Sequence, residues 1–262
     1  MKRIVSITGI LLIALFLVNM LQADTYMKEK KHTDGIKMMG QEQPATDEIT
    51  EIWITSKGIR SDSPKGSMMI LVDEKKIIMV DHEKKTYTEM PMNIGDITSQ
   101  AAKEAGKDDD EAEQMGQANQ AMMQGMMQGM MKMEITVQPT TETKKINNWN
   151  CKKYNMTMNT FMGPMSNEIW ATEDLKIDKA MYARMTTAFM SAMPGMQSGS
   201  EKMMKEIEKI KGVQVFSIAK HQMMGQTISS STELLEFKDG AAPANLFKIP
   251  AGYKKKAMMS ED

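Results

Sequence analysis

The chain has 262 residues, with 33 Lys and Arg against 34 Asp and Glu, so it lacks the basic excess a nucleic-acid footprint needs. One cysteine, Cys151, cannot close an internal disulfide, and no pair of Cys or His has zinc or haem ligand spacing. Methionine is the anomaly: 31 occur from residue 24 onward against five leucines, in positions where leucine ordinarily fills a core.

The chain opens with Lys2 and Arg3, an apolar run from Ile4 to Met20, and Leu21-Gln22-Ala23 before Asp24. This is the pattern of a removable secretory signal over residues 1–23. The run is shorter than the ~20 apolar residues of a usual span, which favours cleavage over a retained anchor. No cysteine follows it to carry a lipid, and no second apolar stretch reaches spanning length. The expectation is an exported protein, periplasmic or extracellular, without a transmembrane span in its mature form. The remaining 239 residues suit a single domain over 24–255, with 256–262 as a flexible tail.

Strand patterns dominate the first third. Tyr26 to His32 reads as a strand, and Glu48 to Thr55 as another, with Ile52 and Ile54 on one face. Gly58 to Asp62 continues past a turn. Ser67 to Val72 is a nearly continuous apolar run, as in a strand covered on both faces. Asp73-Glu74-Lys75 turns into Lys76 to Val80, and Asp81-His82-Glu83-Lys84 turns into Lys85 to Glu89. Short strands with polar turns make an antiparallel meander.

After Pro91 the pattern becomes helical. Ile97 to Met131 contains no proline and is rich in Ala, Gln, Glu and Met. It reads as two pieces parted near Gly106, the second beginning at Asp108-Asp109-Asp110, where acidic groups suit a helix dipole. This is a Met-rich insertion at about 97–132. Strands return at Met133 to Val137, Lys144 to Ile146, Asn150 to Met158 and Glu168 to Ala171. Asp174 to Ala192 and Glu201 to Ile210 read as helices, and Val213 to Phe216 and Thr227 to Phe237 as strands. The fold class expected is α+β: a curved antiparallel sheet with helices packed on one side.

Residues 122–133 form a four-residue repeat, Met-Met-Gln-Gly, Met-Met-Gln-Gly, Met-Met-Lys-Met. On a helix, Met122, Met126, Met130 and Met133 fall within about 80° of one another, and Met123, Met127 and Met131 widen the stripe. Three readings compete. The stripe is an apolar packing face filled by adaptable side chains. Alternatively these seven thioethers hold Cu(I) or Ag(I), which soft sulfur selects. Or they form a docking surface for an apolar partner. Methionines spread through strands, at Met68, Met69, Met79, Met156 and Met158, favour the packing reading. Met190 and Met193 repeat the i+3 spacing and, with Trp53 and Trp170, are candidate contacts for an apolar ligand or partner.

No phosphate loop, nucleophile elbow or H-E-x-x-H occurs. Asp81-His82-Glu83 falls at a hairpin turn beside Lys84 and Lys85, where solvated charge is the expectation. The chain therefore reads as a non-enzyme that needs no cofactor.

Several motifs in order resemble a known family. They are Gly58-x-Arg60-x-Asp62, the hairpin Ile70-Leu71-Val72-Asp73 to Met79-Val80-Asp81, and Lys84-x-x-Tyr87. Later come Trp149-x-Cys151-x-x-Tyr154, Glu168-x-Trp170 with Asp174-Leu175, and Phe247-x-x-Pro250-x-Gly252-Tyr253. Together they resemble a bacterial family of exported, Met-rich proteins known only as a domain of unknown function. The strand order is more distantly similar to periplasmic lipoprotein carriers. That likeness implies a curved sheet closed by helices over an apolar cavity, and a lipid, a lipoprotein or another envelope protein as partner.

Overall fold

The computed structural model describes residues 24–38, 41–104, 106–118, 135–160, 163–177, 197–223 and 226–257. Alternating and β-branched residues build a long meander. Its strands are β1 (Asp24–Thr33), a small hairpin of β2 (Ile36–Met38) and β3 (Gln41–Gln43), then β4 (Thr46–Ile54), β5 (Gly58–Asp62), β6 (Gly66–Leu71), β7 (Lys76–Asp81) and β8 (Thr86–Pro91). Two helices follow, α1 (Ile94–Glu104) and α2 (residues 109–118). Then come β9 (Ile135–Ile146), β10 (Trp149–Thr160), β11 (Gly163–Thr172), α3 (Gln197–Ile207), β12 (Val213–Met223), β13 (Gln226–Gly240) and β14 (Lys254–Lys255).

Twelve of these strands form one curved, unclosed sheet in the order β14-β8-β7-β6-β5-β4-β1-β13-β12-β11-β10-β9. Neighbours are antiparallel except the short β14, which runs parallel to β8. The expected sheet is present, but the helical share among the described residues is small, and a helical layer along one side is not what dominates them. The α1–α2 break falls where the sequence placed it. Gly106 takes φ 85°, open to glycine without penalty. Asp108 Oδ1 then accepts the Glu111 N–H at 2.8 Å as an N-cap.

Register from β1 through β4 to β8 is uninterrupted, so faces can be followed across six strands. One cross-strand row reads Thr25, Ile54, Ile59, Ile70, Ile77, Met90, and the next reads Met27, Ile52, Ser61, Met68, Met79, Thr88. We call this side the Met68 face. The opposite side carries Trp53, Arg60, Met69, Ile78 and Glu89 in one row and Asp62, Ser67, Val80 and Tyr87 in the next. This is the Met69 face.

The Met69 face is covered by the C-terminal segment, whose Phe247, Ile249 and Tyr253 pack on Met69, Leu71, Ile78 and Val80. Met69 is fully buried there. At the other end of the sheet, Met203 of α3 and Ile210 just after it pack on Ile135, Val137, Tyr154, Ile169 and Ala171. The pairings Ile169–Ser217, Ser217–Thr232 and Thr232–Lys31 place that cluster on the Met68 face. The tail read from residue 256 begins bonded, because Lys256 N–H donates to Tyr87 O at 2.8 Å.

Candidate functional site

Two features merit a chemical reading: the Met68 face and a polar chain on the Met69 face. β6 was expected to be covered on both sides, and it is not. Met69, Ile70 and Leu71 are buried, but Met68 is 41% exposed and its cross-strand partner Met79 is 51% exposed. They sit beside half-buried Ile52, Ile59, Ile77 and Met90. The result is an aliphatic ladder with two unbranched thioether side chains standing open on it. Such side chains adapt to irregular apolar shapes at low cost. Besides Ser61 and Thr88, which flank the two methionines, two further polar groups on this face stand out. Glu29 of β1 lies two residues from Met27, opposite Thr50 on β4 and Leu234 on β13. It is half-buried, and burial pushes its carboxyl above the ordinary carboxylate range. On β11, Asn167 shares the face with Ile169 and Met156, and its buried Oδ1 has no partner among the described residues.

The polar chain runs Asp62, Ser67, His82, Tyr253. Ser67 Oγ donates to Asp62 Oδ1 at 2.5 Å and lies 2.9 Å from His82 Nε2, while His82 Nδ1 lies 2.9 Å from Tyr253 Oη. Arg60 Nε donates to both Asp62 oxygens at 2.9 and 2.8 Å, and its Nη1 donates to Leu246 O and Lys248 O. A serine nucleophile needs its histidine free to take the hydroxyl proton and oriented by a carboxylate. Here the hydroxyl proton goes to Asp62, and the carboxylate touches serine rather than histidine. The arrangement satisfied by these partners has His82 Nε2–H donating to Ser67 and Nδ1 accepting from Tyr253. It ties the C-terminal segment to β5, β6 and the β7–β8 turn. The sequence placed His82 in that turn correctly, but its side chain is not solvated charge. Its partner lies 171 residues away, which no local pattern reveals.

Other candidates fall as follows. Trp53 packs against Tyr26 in a tilted pair, with ring centroids 5.1 Å apart at 52°. Trp170 is 5% exposed, with Lys144 Nζ 3.9 Å above its ring and its Nε1–H donating to Glu168 Oε1 at 2.8 Å. Both tryptophans lie on the Met69 face, so the sheet separates them from Met68 and Met79. Lys153, and then Trp170, hold the Glu168 carboxyl below its ordinary range. Cys151 is buried and unpaired, and burial pushes its thiol up, as a core position would. The repeat Met122, Met123, Met126, Met127, Met130, Met131 and Met133, and Met190 and Met193, lie outside the described residues. Among the described residues no group of three His, Cys, Asp or Glu could hold a metal.

A cleft of about 390 Å³ is lined by Glu74, Lys75, Lys76, Glu89, Met90, Pro91, Gln100 and Lys255. Within it Lys255 bonds Glu89 at 2.8 Å and Lys76 lies 3.9 Å from the same carboxylate. Among the described residues no helix is long and apolar enough to cross a membrane.

The fold and site define an open antiparallel sheet with one apolar, methionine-bearing face and no assembled catalytic constellation among the described residues. Residues 124–253 match the family model of a domain of unknown function, DUF4412. That match agrees with the resemblance drawn from the Trp149, Cys151, Tyr154, Glu168, Trp170 and Tyr253 motifs. No curated protein matches. Two crystal structures are similar over most of their length. A DUF1329 family protein from Desulfovibrio piger ATCC 29098 has 6% identity, covers 89% of this chain and 92% of its own, and gives a TM-score of 0.32. A putative outer membrane lipoprotein-sorting protein domain from Vibrio parahaemolyticus has 6% identity, with 90% and 94% coverage and a TM-score of 0.28. At those scores neither likeness bears on what this chain does.

Proposed function

We propose that the protein is exported, is not an enzyme, and holds an apolar ligand in the cell envelope. The ligand is a lipid or the acyl part of a lipoprotein, lying against the Met68 face. One observation carries this reading. Met68 and Met79 face each other across β6 and β7, remain about half exposed, and lie beside the aliphatic row of Ile54, Ile59, Ile70 and Ile77. Contiguous apolar surface of this kind marks a place where something else binds. The signal pattern over residues 1–23 supports export. Placement of the α3 cluster on the same side supports helices packed along that side, in the manner of a lipoprotein carrier. The absence of a reaction is argued from Ser67, His82 and Asp62, whose donors and acceptors are already used in holding the C-terminal segment. Titration with the uncharged apolar fluorophore N-phenyl-1-naphthylamine tests the reading. Saturable binding at micromolar concentration is expected, and absence of binding with the fold intact would remove it.

A further inference from the structure

Glu29 is a half-buried acidic side chain on the Met68 face that no ion pair matches among the described residues. Of the carboxylates around it, Glu51 bonds Lys28 at 3.1 Å and Asp47 bonds Lys30 and His32, while Glu48 shares its face opposite Lys31 and stands exposed to water. Both Lys28 and Lys30 alternate with Glu29 along β1 and therefore point to the opposite face. Lys31 shares the face but is exposed, and no ion pair joins it to Glu29. Glu29 instead sits between Met27, Thr50 and fully buried Leu234, where an ionised carboxyl without a partner is costly. One row away the apolar ladder begins, and the Met68–Met79 pair lies in the Met27 row, three and four strands over.

We infer that the Met68 face takes an amphiphile with a cationic, ammonium-type head, bound by the Glu29 carboxylate while the alkyl chain lies on Ile52, Met68 and Met79. The inference rests on the apolar-ligand reading and adds the head-group chemistry. A cation supplies what the site lacks: an N–H donor with positive charge, whose bond to a carboxylate is stronger than one between neutral groups. An anionic head of the same chain length would meet the Glu29 charge in a weakly solvated place and be disfavoured.

The test is calorimetric titration of the purified protein with dodecylammonium and with dodecanoate, each below its micelle concentration. Dodecylammonium is expected to bind about tenfold more tightly. Glu29→Gln should bring the two affinities within about twofold, while Glu51→Gln, on the opposite face, should leave the preference in place. Thermal melts of both variants confirm that they fold. Equal affinities in the unmodified protein, a preference that survives Glu29→Gln, or an equal loss in Glu51→Gln would each overturn the head-group assignment. If neither amphiphile binds, the apolar-ligand reading falls with it.

Discussion

Replacing Met68 and Met79 together by Gln separates ligand binding from folding. Both positions keep an unbranched side chain of similar length, so the strands retain their shape. Met68 is 41% and Met79 51% exposed, so about half of each side chain is left for a ligand to cover. Burying a whole Met is worth roughly 2 kcal/mol, so the uncovered halves contribute about 1 kcal/mol each. Their joint loss is about 2 kcal/mol, or roughly 30-fold in Kd at about 1.4 kcal/mol per tenfold. The assay is titration with the uncharged fluorophore N-phenyl-1-naphthylamine, run beside urea unfolding of the same samples. Stability should change by less than about 1 kcal/mol, as at other partly exposed sites. The neighbouring Met69→Ala is the control. Met69 is fully buried under Phe247 and Tyr253, so its truncation should cost about 2–5 kcal/mol of stability. A double Gln variant that binds within threefold of the unmodified protein would refute the assignment of the ligand to this face.

Three further outcomes follow from the polar groups. Tyr253→Phe removes the hydroxyl that His82 Nδ1 faces, leaving a half-buried ring nitrogen unpaired. It should cost about 1–2 kcal/mol in urea unfolding and speed amide exchange across 246–256, and unchanged exchange there would count against the latch. The His32 imidazole is held above its ordinary value mainly by the hydrogen bond to Asp47, and Asp47 is held below its own by His32. The His32 contribution is present below about pH 6.5 and lost as pH rises through its raised value. The Asp47 contribution is present above about pH 4 and lost as pH falls through its lowered value. Asp47→Asn should therefore move the His32 NMR titration midpoint down, and an unmoved midpoint would contradict the pairing. Burial raises Glu29, so its ionisation costs stability as pH climbs above the ordinary carboxylate range. Glu29→Gln should melt higher than the unmodified protein at neutral pH, with the gap closing toward pH 4. A constant gap would show that ionisation is not the cause.

Local pattern made the meander legible. The alternation around Ile52 and Ile54 and the polar turns at 73–75 and 81–84 placed β4 to β8 within a residue or two. The α1–α2 break was legible because Gly106 and Asp108 are local signals. The β2–β3 hairpin was missed because Ile36–Met38 is three residues long and Gln41–Gln43 is polar throughout. β14 was missed because two lysines hold their strand only by pairing with Thr86 and Tyr87, far back in the chain. Exposure of Met68 was invisible because an unbroken apolar run reads as covered on both sides, and only the position of the C-terminal segment decides which face is covered. The motifs Gly58-x-Arg60-x-Asp62 and Phe247-x-x-Pro250-x-Gly252-Tyr253 now have a shared cause. Arg60 reaches Leu246 O and Lys248 O, and a Cβ at Gly58 would meet Ile70 O at 2.0 Å, so glycine lets β5 lie close on β6. These motifs fasten the C-terminal segment.

The most direct measurement is organic extraction of the protein purified from the envelope fraction, followed by mass spectrometry of what comes off. An amphiphile at near-stoichiometric amount, depleted in the Met68→Gln, Met79→Gln variant, is the result this account predicts. A variant that retains the same amphiphile, or an unmodified protein that carries none and takes up none, would contradict it.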